Sequence, residues 1–456
     1  MPRVTGIPQT GRRARWRCGR PALLLLALAL LSGPAAAFEE GDVSAMVGHK
    51  LEASAFPGAG GVWLGRERRI TVDGASNVTV DEHLVARIFD PQWGQQHFRP
   101  FRRLFDAAAG GLHVARARVW SDRTVFDDLP SGAVSEAIAP QAHGLVAVGY
   151  LGELDVQYPE LKSGQTVELH LTYNLPLSAT GPFMCWVEET FGAEDPVVEQ
   201  EVVLDAPTAS EFQTRILGPD VGYQSYVLSG RLIQSWLTGN LPALPCRLLE
   251  GPMGRVPAAT DSTGPGVSRL LITNALSWKQ LSSQVGYQWE KSWENRNADE
   301  DLITHQLSTG GQDLPELALT CQKFVQEQIR TLPVSEAILG VVPPKAGDVA
   351  ECRAGGPRDK ACFLVSLLRS AGLSAYPVWI RTRGGAWDPD LASPRQLDRF
   401  VVLARAPGHG DIWLDPVKEE QPLAPTRGLI LYGPAQGPPL DGRSGLIAFP
   451  GLGPGR

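Results

Sequence analysis

Gly355-Gly356-Pro357-Arg358-Asp359-Lys360-Ala361 reads as the opening of a helix. Two glycines loosen the preceding chain, and Pro357 suits a first helical position, where its missing N–H forfeits no intrahelical bond and its fixed φ is already helical. From Arg358 to Ala371 the helical period holds: Ala361, Cys362, Val365 and Leu368 share a face, and Gly372 stands where a left-handed residue ends a helix. Upstream, Asp313-Leu314-Pro315-Glu316 gives an acidic N-cap with Glu three residues on. Leu317, Cys321, Phe324, Val325 and Ile329 follow at helical spacing, which predicts an amphipathic helix with Gln322, Gln326 and Arg330 turned outward. Downstream, Ala375 to Arg381, Phe400 to Ala404 and Ile412 to Leu414 read as strands, so this half of the chain is α+β.

The other half alternates instead. Ile70-Thr71-Val72, His113 to Val119 and Thr166 to Tyr173 place apolar side chains at every second position, as strands with one buried face do. Several such runs between Arg68 and Leu217, punctuated by Gly and Pro, predict an antiparallel β-sandwich. The expected organisation is a sandwich domain over 38–249, a Gly/Pro/Ser/Thr-rich linker or long loop over 250–267, a second domain over 268–433 and a Gly/Pro-rich tail over 434–456. No internal repeat is present.

Several of these segments resemble a known exported bacterial architecture: a domain of unknown function followed by a transglutaminase-like, papain-like domain. In the first domain the resemblance rests on Arg69-Ile70-Thr71-Val72-Asp73-Gly74, on Tyr158 to Glu168, and on Gly181 to Val197. In the second it rests on Leu270 to Thr273, Ser277 to Gln280, Gly355 to Ala361, the Phe400-Val401-Val402 strand and Trp413-Leu414-Asp415-Pro416. The resemblance implies a catalytic triad of Cys at the helix start and His and Asp on two strands, with the fold expected to be an α+β papain-like core.

Residue by residue, that implied triad is degenerate. Pro357 stands where the Cys is expected, and proline supplies neither thiolate nor proton. Arg399 stands where the His is expected, and a guanidinium stays protonated and cannot act as a general base. Only Asp415 matches, and Arg399 is placed to pair with it in a structural ion pair. Cys352 and Cys362 flank the helix start; the first is the candidate for a non-standard nucleophile, and the structural reading of both is a small buried hydrophobe. His409, in a Pro-Gly-His-Gly turn, reads as a solvated turn residue.

The first 37 residues read as an export signal: five arginines between Arg12 and Arg20, an apolar run from Ala22 to Leu31, and Ala35-Ala36-Ala37 before Phe38. Ten apolar residues rise only about 15 Å as a helix, half of a bilayer core of about 30 Å, so no membrane span is expected in the mature chain. The whole chain carries 42 basic and 49 acidic side chains, a net −7; losing the six arginines of residues 1–37 leaves 36 against 49, a net −13, which argues against nucleic acid as a partner. Five cysteines remain after Phe38, with no paired metal spacing, so no metal or cofactor is expected and one disulfide is permitted.

Other clusters have simpler readings. Trp289 and Trp293, one turn apart with Trp278 upstream, read as buried packing rather than a stacking platform. Arg99, Arg102 and Arg103, interleaved with Phe98, Phe101 and Phe105, read as a strand or turn with a solvated basic face, and Asp299-Glu300-Asp301 as a solvated acidic loop. The sequence thus predicts a periplasmic or secreted protein that binds or scaffolds a peptide, a protein or a cell-envelope polymer. The alternatives are an active thiol acyltransferase or peptidase using Cys352, and a purely structural envelope protein.

Overall fold

The computed structural model describes residues 38–448 except 74–76, 108–109, 144, 146–150, 176–183, 245–247, 252–253, 258–266, 295, 333–339, 383–386, 419–426 and 433–445. The export-signal reading therefore lies outside the described residues. Over the described residues the protein is mixed α and β: one large mixed sheet, several small sheets and seven α-helices.

The large sheet has eight strands: β1 (Gly61–Asp73), β2 (Asn77–Ile88), β3 (Leu112–Asp122), β4 (Val125–Asp128), β5 (Thr166–Asn174), β6 (Val197–Pro207), β7 (Gly222–Leu228) and β8 (Arg231–Leu241). They lie in the order β7-β8-β6-β1-β2-β5-β3-β4. The alternating runs are strands, as expected, but the sheet is not purely antiparallel, because β1 and β6 run parallel. Between β5 and β6 the chain leaves the sheet to form the strand Trp186–Phe191 of another, and it re-enters in the same sense as β5, which makes β6 parallel to β1. Alternation shows which face of a strand is buried, not which way its neighbour runs.

Two small sheets are associated with the large one through separate apolar clusters. One consists of Phe101–Asp106, Leu151–Val156 and Val134–Ile138, and joins α2 (Pro91–Phe98) in a core with Leu84, Ile88, Val167 and Leu169. The other consists of Gln213–Leu217, Ser268–Thr273 and Trp186–Phe191, with Phe191, Leu270 and Ile272 against Ile70, Val80, Val202 and Trp236. Ser268–Thr273, expected to open the second domain, is thus hydrogen-bonded to strands from the first half.

Charge is buried between these sheets. Arg103 pairs with Glu82 at 2.7 Å and Arg68 with Glu189 at 2.5 Å, and both guanidiniums donate to the Tyr173 hydroxyl. Burial alone would raise the Glu82 carboxyl, but Arg103, Arg68 and Arg66 outweigh it and hold the group at about 2. The solvated basic face read from Arg99, Arg102 and Arg103 is thereby corrected at Arg103, which turns inward to this anion; Arg102 stays exposed beside Asp155 at 3.3 Å.

On another side of the large sheet lies α1 (Glu40–Gly48), with Val43 and Val47 against Val62, Leu64, Val85 and Trp120. Strand alternation puts Val62 and Leu64 in this cluster and Trp63 against the core that contains α2, and a bulge between Trp63 and Gly65 shifts the register of β1 beyond them.

The C-terminal half is built on α3 (Trp278–Glu294), α4 (Ala298–Ser308), α5 (Leu314–Gln328), α6 (Ala346–Cys352) and α7 (Pro357–Ser370). Its sheet has five antiparallel strands: β9 (Ser374–Arg381), β10 (Arg399–Arg405), β11 (Asp411–Leu414), β12 (Arg427–Ile430) and β13 (Leu446–Ala448), ordered β11-β10-β9-β12-β13. The caps read from sequence form: Asp313 accepts from the Glu316 N–H at 2.9 Å, and Gly372 ends α7 at φ +88°. Trp289 and Trp293 are buried, as expected, and Asp299-Glu300-Asp301 is corrected from a loop to the first turn of α4, capped by Asn297, with Glu300 buried against Arg296 and Ser366.

The approach of α3 to the segment after β12 depends on Gly286. A Cβ there would stand 2.4 Å from the backbone atoms of Tyr432, which no rotamer change can relieve. Gly286→Ala is expected to destabilise the protein by about 1–3 kcal/mol, read as a lower denaturant midpoint at unchanged slope.

Candidate functional site

Helix α7 is the centre of the C-terminal half. Every residue from Arg358 to Leu368 is buried, because α7 contacts α3, α5, α6, β9 and β10. Pro357 occupies the first helical position and is half-buried. Asp359 receives the Gly356 N–H at 2.9 Å and the Arg358 Nε–H at 2.7 Å, satisfying the carboxylate at the positive end of the helix dipole. Arg358 also donates to the Gly340 carbonyl at 3.0 Å.

Lys360 points to a different element. Its Nζ donates to the Ile329 carbonyl and the Thr331 hydroxyl, each at 2.9 Å, beside the short parallel pairing of Arg330–Thr331 with Ala354–Gly355. Burial pushes this ammonium down to about 8, against a smaller upward pull from Asp415.

Arg399 begins β10 and Asp415 follows β11, and the β10–β11 register, Val402 against Leu414, brings the two side chains together. One guanidinium nitrogen, Nη2, donates to both Asp415 oxygens, at 3.0 and 2.8 Å, and lies 3.4 Å from the Val417 carbonyl. The ion pair read from sequence therefore forms, with 12% and 20% of its two side chains exposed. The Val417 N–H closes a turn on Asp415 Oδ1 at 2.9 Å. Asp415 is also held through its backbone: its carbonyl accepts from the Gln322 and Gln326 side chains at 3.2 and 2.8 Å. Expecting both glutamines outward was mistaken, since the polar stripe of α5 faces the end of β11; their i, i+4 spacing was the available signal.

The cysteines do not join this group. Cys362 is fully buried, 3.9 Å from the Pro344 carbonyl, and burial drives its thiol well above the ordinary range. Burial likewise raises Cys321 to about 11 and Cys185 to about 12. Cys352 ends α6, half-buried against the same core. These four are free thiols; Cys246 lies outside the described residues. His409 is exposed in the β10–β11 turn. Among the described residues no cluster of His, Cys, Asp and Glu has the form of a metal site. Trp413, 37% exposed, lies two residues before Asp415 on the side of β11 opposite to buried Leu414.

No protein-family model matches the chain, and no curated protein sequence matches it. Among solved structures, the chain is similar to a protein from Parabacteroides distasonis described as a "putative protease", at TM-score 0.65 and 16% identity, over 82% of this chain and 70% of that one. An M1 zinc metallopeptidase from Deinococcus radiodurans overlaps 47% of this chain and 44% of its own at 14% identity, but a TM-score of 0.22 supports no structural argument. The first likeness establishes a shared fold alone, and it corrects the transglutaminase-like reading. The motifs behind that reading are short, and each does local work: Pro357 starts a helix, and Asp415 anchors a turn after a strand. The triad roles implied for Pro357, Arg399 and Asp415 therefore lapse, and their observed contacts stand in their place.

Two outcomes follow from this geometry. Lys360 has a folded-state pKa below its unfolded one, so the unfolded chain binds the extra proton, and stability should rise as pH increases from about 8 towards 10.5. Lys360→Met should flatten that rise in pH-dependent denaturation. A double-mutant cycle on Arg399→Ala and Asp415→Asn should give a coupling of about 1–3 kcal/mol, above the roughly 0.2–1 kcal/mol of freely exposed pairs.

Proposed function

We propose that this is an exported binding module that takes a peptide segment without acting on it chemically. The observation that carries the reading is the Arg399–Asp415 ion pair, braced by Gln322 and Gln326, with exposed Trp413 two residues before Asp415 at the end of β11. Arg399 and Asp415 are engaged with each other and remain partly open to solvent, which suits polar recognition more than proton transfer. Trp413 supplies an apolar plate at that strand end, the combination of one aromatic anchor and a few fixed polar groups that peptide sites use. Burial makes the raised thiols of Cys185, Cys321 and Cys362 poor nucleophiles.

A peptide is favoured as the ligand class by the fold shared with the protein described as a protease. The net charge of the chain after Phe38 speaks against nucleic acid. Export, to the periplasm or beyond, is part of this proposal and rests on the first 37 residues.

Two measurements test it together. Screening the purified protein against a peptide array and titrating the hits calorimetrically should give binding that weakens about tenfold or more in Trp413→Ala and in Arg399→Ala. In parallel, a cysteine-directed electrophile at neutral pH should modify the native protein slowly, with Cys352→Ala and Cys362→Ala little different from the parent. Peptide cleavage or acyl transfer abolished by Cys352→Ala would overturn the reading, and so would peptide binding indifferent to both site substitutions.

A further inference from the structure

Glu67 is a buried carboxyl in need of a cation. It lies on β1 with 4% of its surface exposed, cross-strand from Glu201 on one side and His83 on the other. Arg69 reaches it only at the 4.0 Å limit of an ion pair. Its closest donor is the backbone nitrogen of Phe38, 2.7 Å from Oε2. As an amide that nitrogen is neutral, and burial together with Glu201 leaves the carboxyl raised to about 8, protonated at neutral pH.

Phe38 is also the first residue after Ala35-Ala36-Ala37, the small-residue stretch expected to be cut on export. Its ring has a fitted position: 9% exposed, 5.5 Å from the His83 ring, and over Gly65, where a Cβ would lie 2.8 Å from the Phe38 edge. The next residue, Glu39, is the N-cap of α1, with its N–H on Asp42 at 3.0 Å.

We propose that the Ala37–Phe38 bond is the processing site, and that the α-ammonium group freed on Phe38 forms a buried ion pair with Glu67 that fastens α1 to the large sheet. A signal peptidase supplies the catalysis and water the co-reactant: the peptide bond breaks, Ala37 leaves with the new carboxylate, and the Phe38 amine takes up a proton. The nitrogen already 2.7 Å from Oε2 becomes the cation without changing place. Burying a charge is costly unless it is paired, so the ammonium and the carboxylate each offset part of the other's penalty, and removing one leaves the other buried and unpaired. The cut rests on the export proposed above; the ion pair is separable from it.

The experiment has two arms. N-terminal sequencing of the protein secreted from a bacterial host should begin at Phe38; a start at any other residue overturns the proposal and leaves peptide binding untouched. The second arm compares thermal melting of a chain starting at Phe38, released from a cleavable fusion, with one carrying Gly-Ser before Phe38, each with and without Glu67→Gln. The substitution should lower the midpoint of the Phe38-starting chain by about 5 °C or more and that of the extended chain by less than about 2 °C. Equal shifts overturn the ion pair. Should Glu67→Gln fail to fold, acylation of the Phe38 α-amine at neutral pH decides: at least tenfold slower in the native parent than in denaturant supports the pair, and equal rates overturn it.

Discussion

The burial of α7 on every side is the constraint around which the C-terminal half is arranged. A helix surrounded by other elements leaves no solvent face for Arg358, Asp359 and Lys360, so each must find its partners inside. Arg358 and Asp359 neutralise each other at the helix start, and Lys360 is capped by the Ile329 carbonyl and the Thr331 hydroxyl. Those contacts fix where the end of α5 and the short parallel pairing must lie. The position of β10 and β11 against α7 and α5 then sets where Arg399 meets Asp415.

The same economy governs the large sheet. Its faces bury carboxylates as well as apolar side chains, and most of these find their partners across strands: Glu82 with Arg103, Glu189 with Arg68, and Glu168 with His83, Arg116 and Trp120. Glu67 departs from this pattern, because its neighbour across β6 is another carboxylate. The donor that reaches Glu67 is instead the Phe38 nitrogen, at the start of the segment that leads into α1.

Short motifs and their chemistry separate clearly in this chain. Gly355 to Ala361 and Trp413 to Pro416 fixed the places of a helix start and a strand end correctly, and Arg399 was placed correctly against Asp415. The same motifs led to a family resemblance that the comparisons did not uphold, because a proline opening a helix and an aspartate closing a turn are solutions any fold can use.

From the sequence alone came whatever depends on neighbours along the chain. Period-3.6 spacing gave α5 and α7, period-2 spacing gave β1, β3 and β5, and Asp313, Pro357 and Gly372 marked helix ends, because propensity, capping and side-chain direction are local properties. What required the tertiary structure was every question of partnership: the parallel pairing of β1 with β6, the inward turn of Arg103, Gln322 and Gln326 holding Asp415, Glu300 buried under Arg296, and Glu67 lying against the Phe38 nitrogen. A long polar side chain reads as solvent-facing until another element arrives to bury it, and which element arrives is settled by the packing of the whole chain.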